Sequence, residues 1–450
     1  MDASGRLYMA YSQSGCGVKC FKKVSGNWYL DWDVMDMHFV DVCDIDPASD
    51  GRKMYGLQEI YDLDMTKTTP GTEWKLSGYT LDAYRFPADG RGMGIVKEEH
   101  EHGLTTAWIR YINGKRFLFG QGMTCQWLPI WKFEDNSNIA RPSAFLTLEH
   151  RIYDVKPDLY WPPNIPGNPY SGIYIWRDLN NDADYQANEY VQTNTFQNEI
   201  VWIDYSGNIW SSNGSAIWKK SPNGLDANGN PIYDDAHTTT YNSGLTGINK
   251  LVYLDDRDIM VMNTGGECRN LGTIHVFSNF TKSNKAELCS FVPHQNDMPG
   301  GLAAAGDYIF TGWNWHGGAT GFSQVWVYSL TTGAYVGRLD PGTETMQDIG
   351  YGITAFKRSN GEYLVNIEDD GLGKCIMYRW CPSGNCGQVA VQQFNRSHGA
   401  SAITGKGNGE RSLYSIDGRI INRGVADGRV RVVIAQEIGT SAVKRIFLTH

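Results

Sequence analysis

Along the whole chain, a tight polar turn is followed by a short apolar or aromatic run. Ser4-Gly5 precedes Leu7-Tyr8-Met9-Ala10, Asp50-Gly51 precedes Met54-Tyr55-Gly56-Leu57, and Asn113-Gly114 precedes Phe117-Leu118-Phe119. The pattern continues with Ser206-Gly207 before Ile209-Trp210 and Asp256-Arg257 before Ile259 to Met262. Ala305-Gly306 then precedes Tyr308 to Phe310, and Asn360-Gly361 precedes Tyr363 to Val365. These turn residues tolerate positive φ and close hairpins. Apolar strands also lead into several of the turns, at Trp108 to Ile112, Ile200 to Asp204, Leu251 to Leu254 and Thr354 to Lys357.

The turns recur about every 50 to 60 residues, with one gap of about 90 between Gly114 and Gly207. A four-stranded blade needs about 40 to 50 residues. The period therefore predicts an all-β fold, a β-propeller of about seven blades, with one loop-rich insertion in the long gap. An eighth blade is possible if the gap hides one or if Gly418 continues the series. The chain opens in mid-hairpin, so either strands from the two ends complete one blade or the true N-terminus lies upstream. Residues 1–405 are read as propeller and 406–450 as last-blade strands or a C-terminal β sorting domain. No long amphipathic helix is apparent.

The long gap holds the most regular spacing of oxygen side chains in the chain. Asp178, Asn180, Asp182, Asp184 and Glu189 occupy the first, third, fifth, seventh and twelfth places of an EF-hand-like calcium loop. Calcium takes six to eight oxygens, and alternate carboxylate or amide positions turn them inward as the chain wraps. Asp178, Asn180, Asp182 and Glu189 would give side-chain oxygens, Asp184 a backbone carbonyl, and Gln186 a direct or water-mediated oxygen. Ala183 stands where the pattern has Gly, and Gly172 to Trp176 reads as a strand rather than a flanking helix. The plainer alternative is a solvated acidic turn.

Composition supports sheets: Gly 51, Trp 15 and Tyr 25, with 20% charged residues, describe a turn-rich, aromatic-rich chain. Net charge of -9 argues against a nucleic-acid partner. No apolar stretch is long enough for a membrane span, and Met1 leads into a polar turn rather than a signal segment. The chain is cytoplasmic or a trimmed mature form. Of nine cysteines, the pairs Cys16/Cys20, Cys381/Cys386 and Cys268/Cys289 suggest disulfides; no Cys-x-x-Cys supports zinc.

Three runs carry candidate chemistry. Trp313 and Trp315, in Thr311-Gly312-Trp313-Asn314-Trp315-His316-Gly317-Gly318, share a face if the strand continues, and flat indoles stack on sugar rings. His316 could serve as acid or base. Glu368 and Asp369 follow a predicted strand and could protonate and attack a glycosidic bond at a suitable separation. Glu98-Glu99-His100-Glu101-His102 could hold a divalent ion from one strand face. Blade packing for the indoles and solvated turns for the charged runs are the alternatives. Walker, His-Glu-x-x-His and Gly-x-Ser-x-Gly templates are missing.

Val201-Trp202-Ile203-Asp204-Tyr205-Ser206-Gly207-Asn208-Ile209-Trp210, Gly229-Asn230-Pro231-Ile232-Tyr233-Asp234 and the acidic loop after a strand resemble bacterial secreted propellers of the NHL or YVTN kind. Leu413 to Arg419, Arg431 to Ala435 and Lys444 to Leu448 partly resemble a type IX secretion sorting domain, with Gly428-Arg429-Val430-Arg431 departing from its pattern. These resemblances imply a secreted or cell-surface fold and no particular reaction. The expectation is a propeller that binds polysaccharide or surface glycan, with structural calcium. If it is an enzyme, it is a glycoside hydrolase or polysaccharide lyase. The alternative is a noncatalytic scaffold whose top face holds a protein partner.

Overall fold

A computed structural model describes residues 4–11, 17–35, 42–67, 69, 71–93, 104–122, 127–147, 162–166, 173–193, 201–265, 271–293, 299–313, 324–339, 352–369, 374–384, 386, 413–414, 420–422 and 443–449. Nearly all regular structure is β; one helical turn, Gly90–Met93, and short 3-10 turns are the exceptions among the described residues. No helix there is long and apolar enough to cross a membrane.

Seven small antiparallel sheets follow one another and make an all-β propeller. The first has three strands, Leu7–Tyr11, Gly17–Val24 and Asn27–Met35. The second runs from Asp44–Ile45 to Trp74–Tyr79, the fourth from Val201–Ile203 to Thr238–Asn242, the fifth from Ile248–Leu254 to Ala286–Phe291, and the sixth from Pro299–Ala305 to Tyr335–Leu339. Each of these four has four strands in chain order. The third sheet has six, because the hairpin Ile173–Arg177 and Tyr190–Thr193 adds to the outer edge of Ala140–Thr147. The seventh takes Ile353–Lys357, Tyr363–Asp369 and Lys374–Trp380, and its outer strand is Val443–Thr449, from the far end of the chain. A separate hairpin pairs Leu413–Tyr414 with Ile420–Asn422.

Second strands show why sheets stack face to face: Ile259 through Asn263 are all buried, so side chains of both pleat faces leave water. Their neighbours supply the cover. Ala107 N–H donates to the Val42 carbonyl at 3.2 Å, joining third sheet to second. Arg110 Nε donates to the Ile203 carbonyl at 2.9 Å, joining third to fourth. Trp202 Nε1 donates to the Tyr253 carbonyl at 3.0 Å, joining fourth to fifth. Thr354 Oγ1 and Asn366 Nδ2 donate to the Cys43 carbonyl at 2.7 and 3.0 Å, joining seventh to second. These bonds join the second, third, fourth and fifth sheets in sequence and bring the seventh against the second.

In the second and the fourth to seventh sheets, the hairpin turns between first and second strands bond to one another in succession. Ser206 Oγ donates to Asp255 at 3.1 Å, Arg257 Nη1 to Asp307 at 3.0 Å, and Lys357 Nζ to the other Asp307 oxygen at 2.9 Å. Ser359 donates from N and Oγ to Asp50 at 2.7 Å, across the seam. Close approach demands glycine here. A Cβ on Gly207 (φ 78°) would lie 2.7 Å from Ile112 Cγ1, and one on Gly306 would run into Lys357 and Tyr363.

Cys381 and Cys386 form a disulfide with 5.9 Å between Cα atoms. Cys20, Cys289 and Cys375 are free thiols, whereas Cys16 and Cys268, their proposed partners in two pairs, lie outside the described residues.

Candidate functional site

Strand directions divide the candidates between the two faces. In the third sheet, Leu104–Ile112 runs toward the turn at Asn113-Gly114, and the following strands alternate, so Ile173–Arg177 also runs toward that face. The acidic loop after it therefore lies on the turn face, at the outer edge. Trp313 ends Tyr308–Trp313, and Glu368 and Asp369 end Tyr363–Asp369; both are second strands running away from their turns. Trp313, Glu368 and Asp369 thus reach the opposite face, on adjacent sheets. Trp315, His316 and the Glu98 to His102 run lie outside the described residues.

The acidic loop curls around its own carboxylates. Asp178 is fully buried; its Oδ1 accepts from Asp182 N at 3.0 Å and its Oδ2 from Ala183 N at 3.1 Å. Asn180 Oδ1 accepts from Asp182 N at 3.1 Å, and Asp182 Oδ1 from Asp184 N at 2.9 Å. Asp182 Oδ2 accepts from Asn180 Nδ2 at 2.7 Å and Gln186 Nε2 at 2.9 Å. Asp184 Oδ1 accepts from Tyr185 N at 2.8 Å. Glu189 folds back to the start: Oε1 accepts from Leu179 N and Oε2 from Trp176 Nε1, both at 2.8 Å. Ala183 adopts φ 63°, the left-handed conformation that the sixth place of a calcium loop requires and usually gives to Gly.

The loop carries the oxygen-bearing side chains that a calcium site draws on. As folded, however, its first and twelfth residues are spent on N–H groups, and no three His, Cys, Asp or Glu side chains among the described residues meet as a metal set.

Two cations from neighbouring strands complete the loop's charge balance. Arg141 Nη2 donates to Asp178 Oδ2 at 2.9 Å; burial pushes the Asp178 carboxyl up and Arg141 opposes that push. Lys132, 7% exposed, donates from Nζ to Asn181 Oδ1 at 3.3 Å and to the Asn228 carbonyl and Asn230 Oδ1, both at 2.7 Å. Burial, with Arg141 nearby, lowers its ammonium to about 8. Asn228 and Asn230 reach back to the acidic loop, donating to the Leu179 carbonyl at 2.8 Å and the Asp178 carbonyl at 2.6 Å. The turn Asp226 to Asn230 of the fourth sheet is therefore clasped to the acidic loop of the third by two amides and one ammonium.

Sequence reasoning found the acidic loop but missed Lys132 and Arg141, which precede it by more than thirty residues. One signal was present: a lysine inside Trp127–Phe133, a strand of otherwise apolar and aromatic residues.

No family model and no curated protein matches the chain. Among solved structures it is similar to a "putative 6-phosphogluconolactonase" from Bacteroides fragilis, at 11% identity over 83% of this chain and 89% of that one, with a TM-score of 0.39. A protein of the same description from Bacteroides uniformis matches at 10% identity, over 83% and 91%, with 0.38. Hsv2 of Kluyvelomyces marxianus matches at 8%, over 76% and 93%, with 0.37.

Proposed function

We propose that the chain is a secreted or cell-surface propeller that binds polysaccharide or surface glycan on the face opposite its hairpin turns, with calcium as a structural ion in the acidic loop. The observation that supports it is the placement of Trp313 at the end of one second strand and of Glu368 and Asp369 at the end of the corresponding strand in the next sheet. An indole offers a flat apolar platform for the C–H face of a sugar, and carboxylates accept from its hydroxyls. The loop's carboxylates, on the other face, are committed to their own backbone and to Arg141, so they serve architecture rather than ligand.

Affinity electrophoresis through gels containing soluble plant and algal glycans tests this. Retarded migration of the full chain, relieved in a Trp313→Ala, Trp315→Ala double variant of unchanged melting temperature, is the expected result. Unretarded migration in every glycan, or retardation that the double variant keeps, sinks the reading.

A further inference from the structure

The fifth sheet carries a hydroxyl, an imidazole and a carboxylate in a line across three neighbouring strands. Thr264 ends Ile259–Thr264, His275 lies in Thr273–Ser278, and Glu287 in Ala286–Phe291. Thr264 Oγ1 is 3.1 Å from His275 Nε2, and His275 Nδ1 is 2.7 Å from Glu287 Oε1. This arrangement is self-consistent in one tautomer: Nδ1–H donates to the carboxylate, leaving Nε2 to accept from the hydroxyl, whose other acceptor, the Thr273 carbonyl, lies farther off at 3.5 Å. It arises from diagonal neighbours in the ladder, where Met262 opposes His275 and Phe277 opposes Glu287.

We propose that Thr264, His275 and Glu287 form an acyl-transfer relay that hydrolyses small, unhindered carboxylic esters. Nucleophile, base and orienting carboxylate are recognised by geometry and role, whatever the fold and chain order. Thr264 Oγ attacks the ester carbonyl and its proton passes to His275 Nε2, while Glu287 holds the imidazolium at Nδ1. The C–O bond to the alcohol breaks, and the alcohol leaves with the proton from Nε2. Water then gives its proton to Nε2, its oxygen attacks the acyl-threonine, and the acid leaves as Thr264 recovers its hydrogen.

Access and placement favour this use. Thr264 is partly exposed, and its strand ends on the same face as Trp313 of the adjacent sheet. The secondary hydroxyl of threonine limits the acyl group to a small one such as acetyl. The relay stands independently of glycan binding.

Release of nitrophenolate from p-nitrophenyl acetate by the full chain tests it, comparing Thr264→Val, His275→Gln and Thr264→Ser. Losses of about 100-fold in the first two, with activity kept in Thr264→Ser, are expected. Equal rates in all four proteins with matched melting temperatures would falsify the relay and leave it as a brace of the fifth sheet. Should the variants unfold, the wild-type chain decides through a fluorophosphonate probe and peptide mass analysis. An adduct on Thr264 supports the relay; none, or one elsewhere, overturns it.

Discussion

The two faces of the propeller are built on opposite terms. On the turn face, side chains of hairpins from the fourth sheet round to the second are consumed by one another: Asp307 takes Arg257 from one side and Lys357 from the other, and Asp50 takes Ser359 across the seam. The acidic loop and its clasp obey the same economy. On the opposite face, second strands end at Thr264, Trp313 and Asp369, the positions on which the proposed binding and relay rest. Rigid, mutually satisfied turns hold the ring in register; the far strand ends are then free to vary, which is where function is ordinarily found in a scaffold of this kind. Substitutions on the turn face should cost stability and leave the proposed far-face binding per folded molecule unchanged.

The largest such effect belongs to Arg379, where the seventh sheet meets the second. Its guanidinium, 1% exposed, donates from Nε to Glu362 at 2.7 Å, lies 3.7 Å from Glu73, and donates to the carbonyls of Lys67 and Met65 at 3.2 and 3.1 Å. Arg379→Ala takes the guanidinium from two buried carboxylates, leaving Glu362 with Arg358 as its remaining cation and Glu73 with the Thr72 N–H. A loss of about 3–5 kcal/mol follows, as for other buried pairs broken on one side. Urea unfolding measures it as a fall in midpoint at constant slope. A change below about 1 kcal/mol would mean that the seam is held by the Cys43 and Asp50 contacts instead.

Lys132→Met comes next. Methionine keeps the apolar stem but removes the ammonium from the exposed Asn181 and Asn228 and from the buried Asn230, whose Oδ1 keeps the Ser143 hydroxyl, at a cost of about 1 kcal/mol. Hydrogen exchange should show it locally, as faster exchange at Asp182, Ala183 and Asn230, whose N–H groups the two loops hold. Unchanged protection there would show that the Asn228 and Asn230 amides hold the two loops together and that the ammonium is no clasp.

The contrast also explains what could be read in the chain. Hairpin turns and the acidic loop are local chemistry: Ser206-Gly207 and Asp178 to Glu189 carry their instructions within a dozen residues, so the blade period, the all-β fold and the loop's curl were legible. Arg379 meets Met65 and Lys67, and Val443–Thr449 completes a sheet begun at Ile353; neither pairing leaves a periodic trace. The extra hairpin in the third sheet was concealed for a related reason. Ile173–Arg177 reads as an ordinary strand, and only its pairing with Ala140–Thr147 makes it a fifth strand rather than the start of a blade. The Thr264 relay depends on ladder register, which period-2 patterning does not fix between strands.

Ala183 gives the smallest effect and probes the loop itself. Its φ of 63° costs an L-residue about 1–2 kcal/mol, and glycine removes that strain. Greater unfolded-state freedom for glycine returns roughly 0.4–1 kcal/mol, and the methyl is almost fully buried, so part of the remaining gain is offset as well. Ala183→Gly should therefore stabilise by only about 0.5 kcal/mol, read as a small rise in urea midpoint. Repeating the melt with EDTA and with excess calcium separates strain relief from metal binding. A structural calcium raises the melting temperature of both proteins and is lost to chelation, because a ligand held by the folded chain alone stabilises it by mass action. Identical melts in EDTA and calcium, with the glycine variant still the more stable, would leave Arg141 and Lys132 as the cations that hold this loop, and the turn face as a surface that closes entirely on its own side chains.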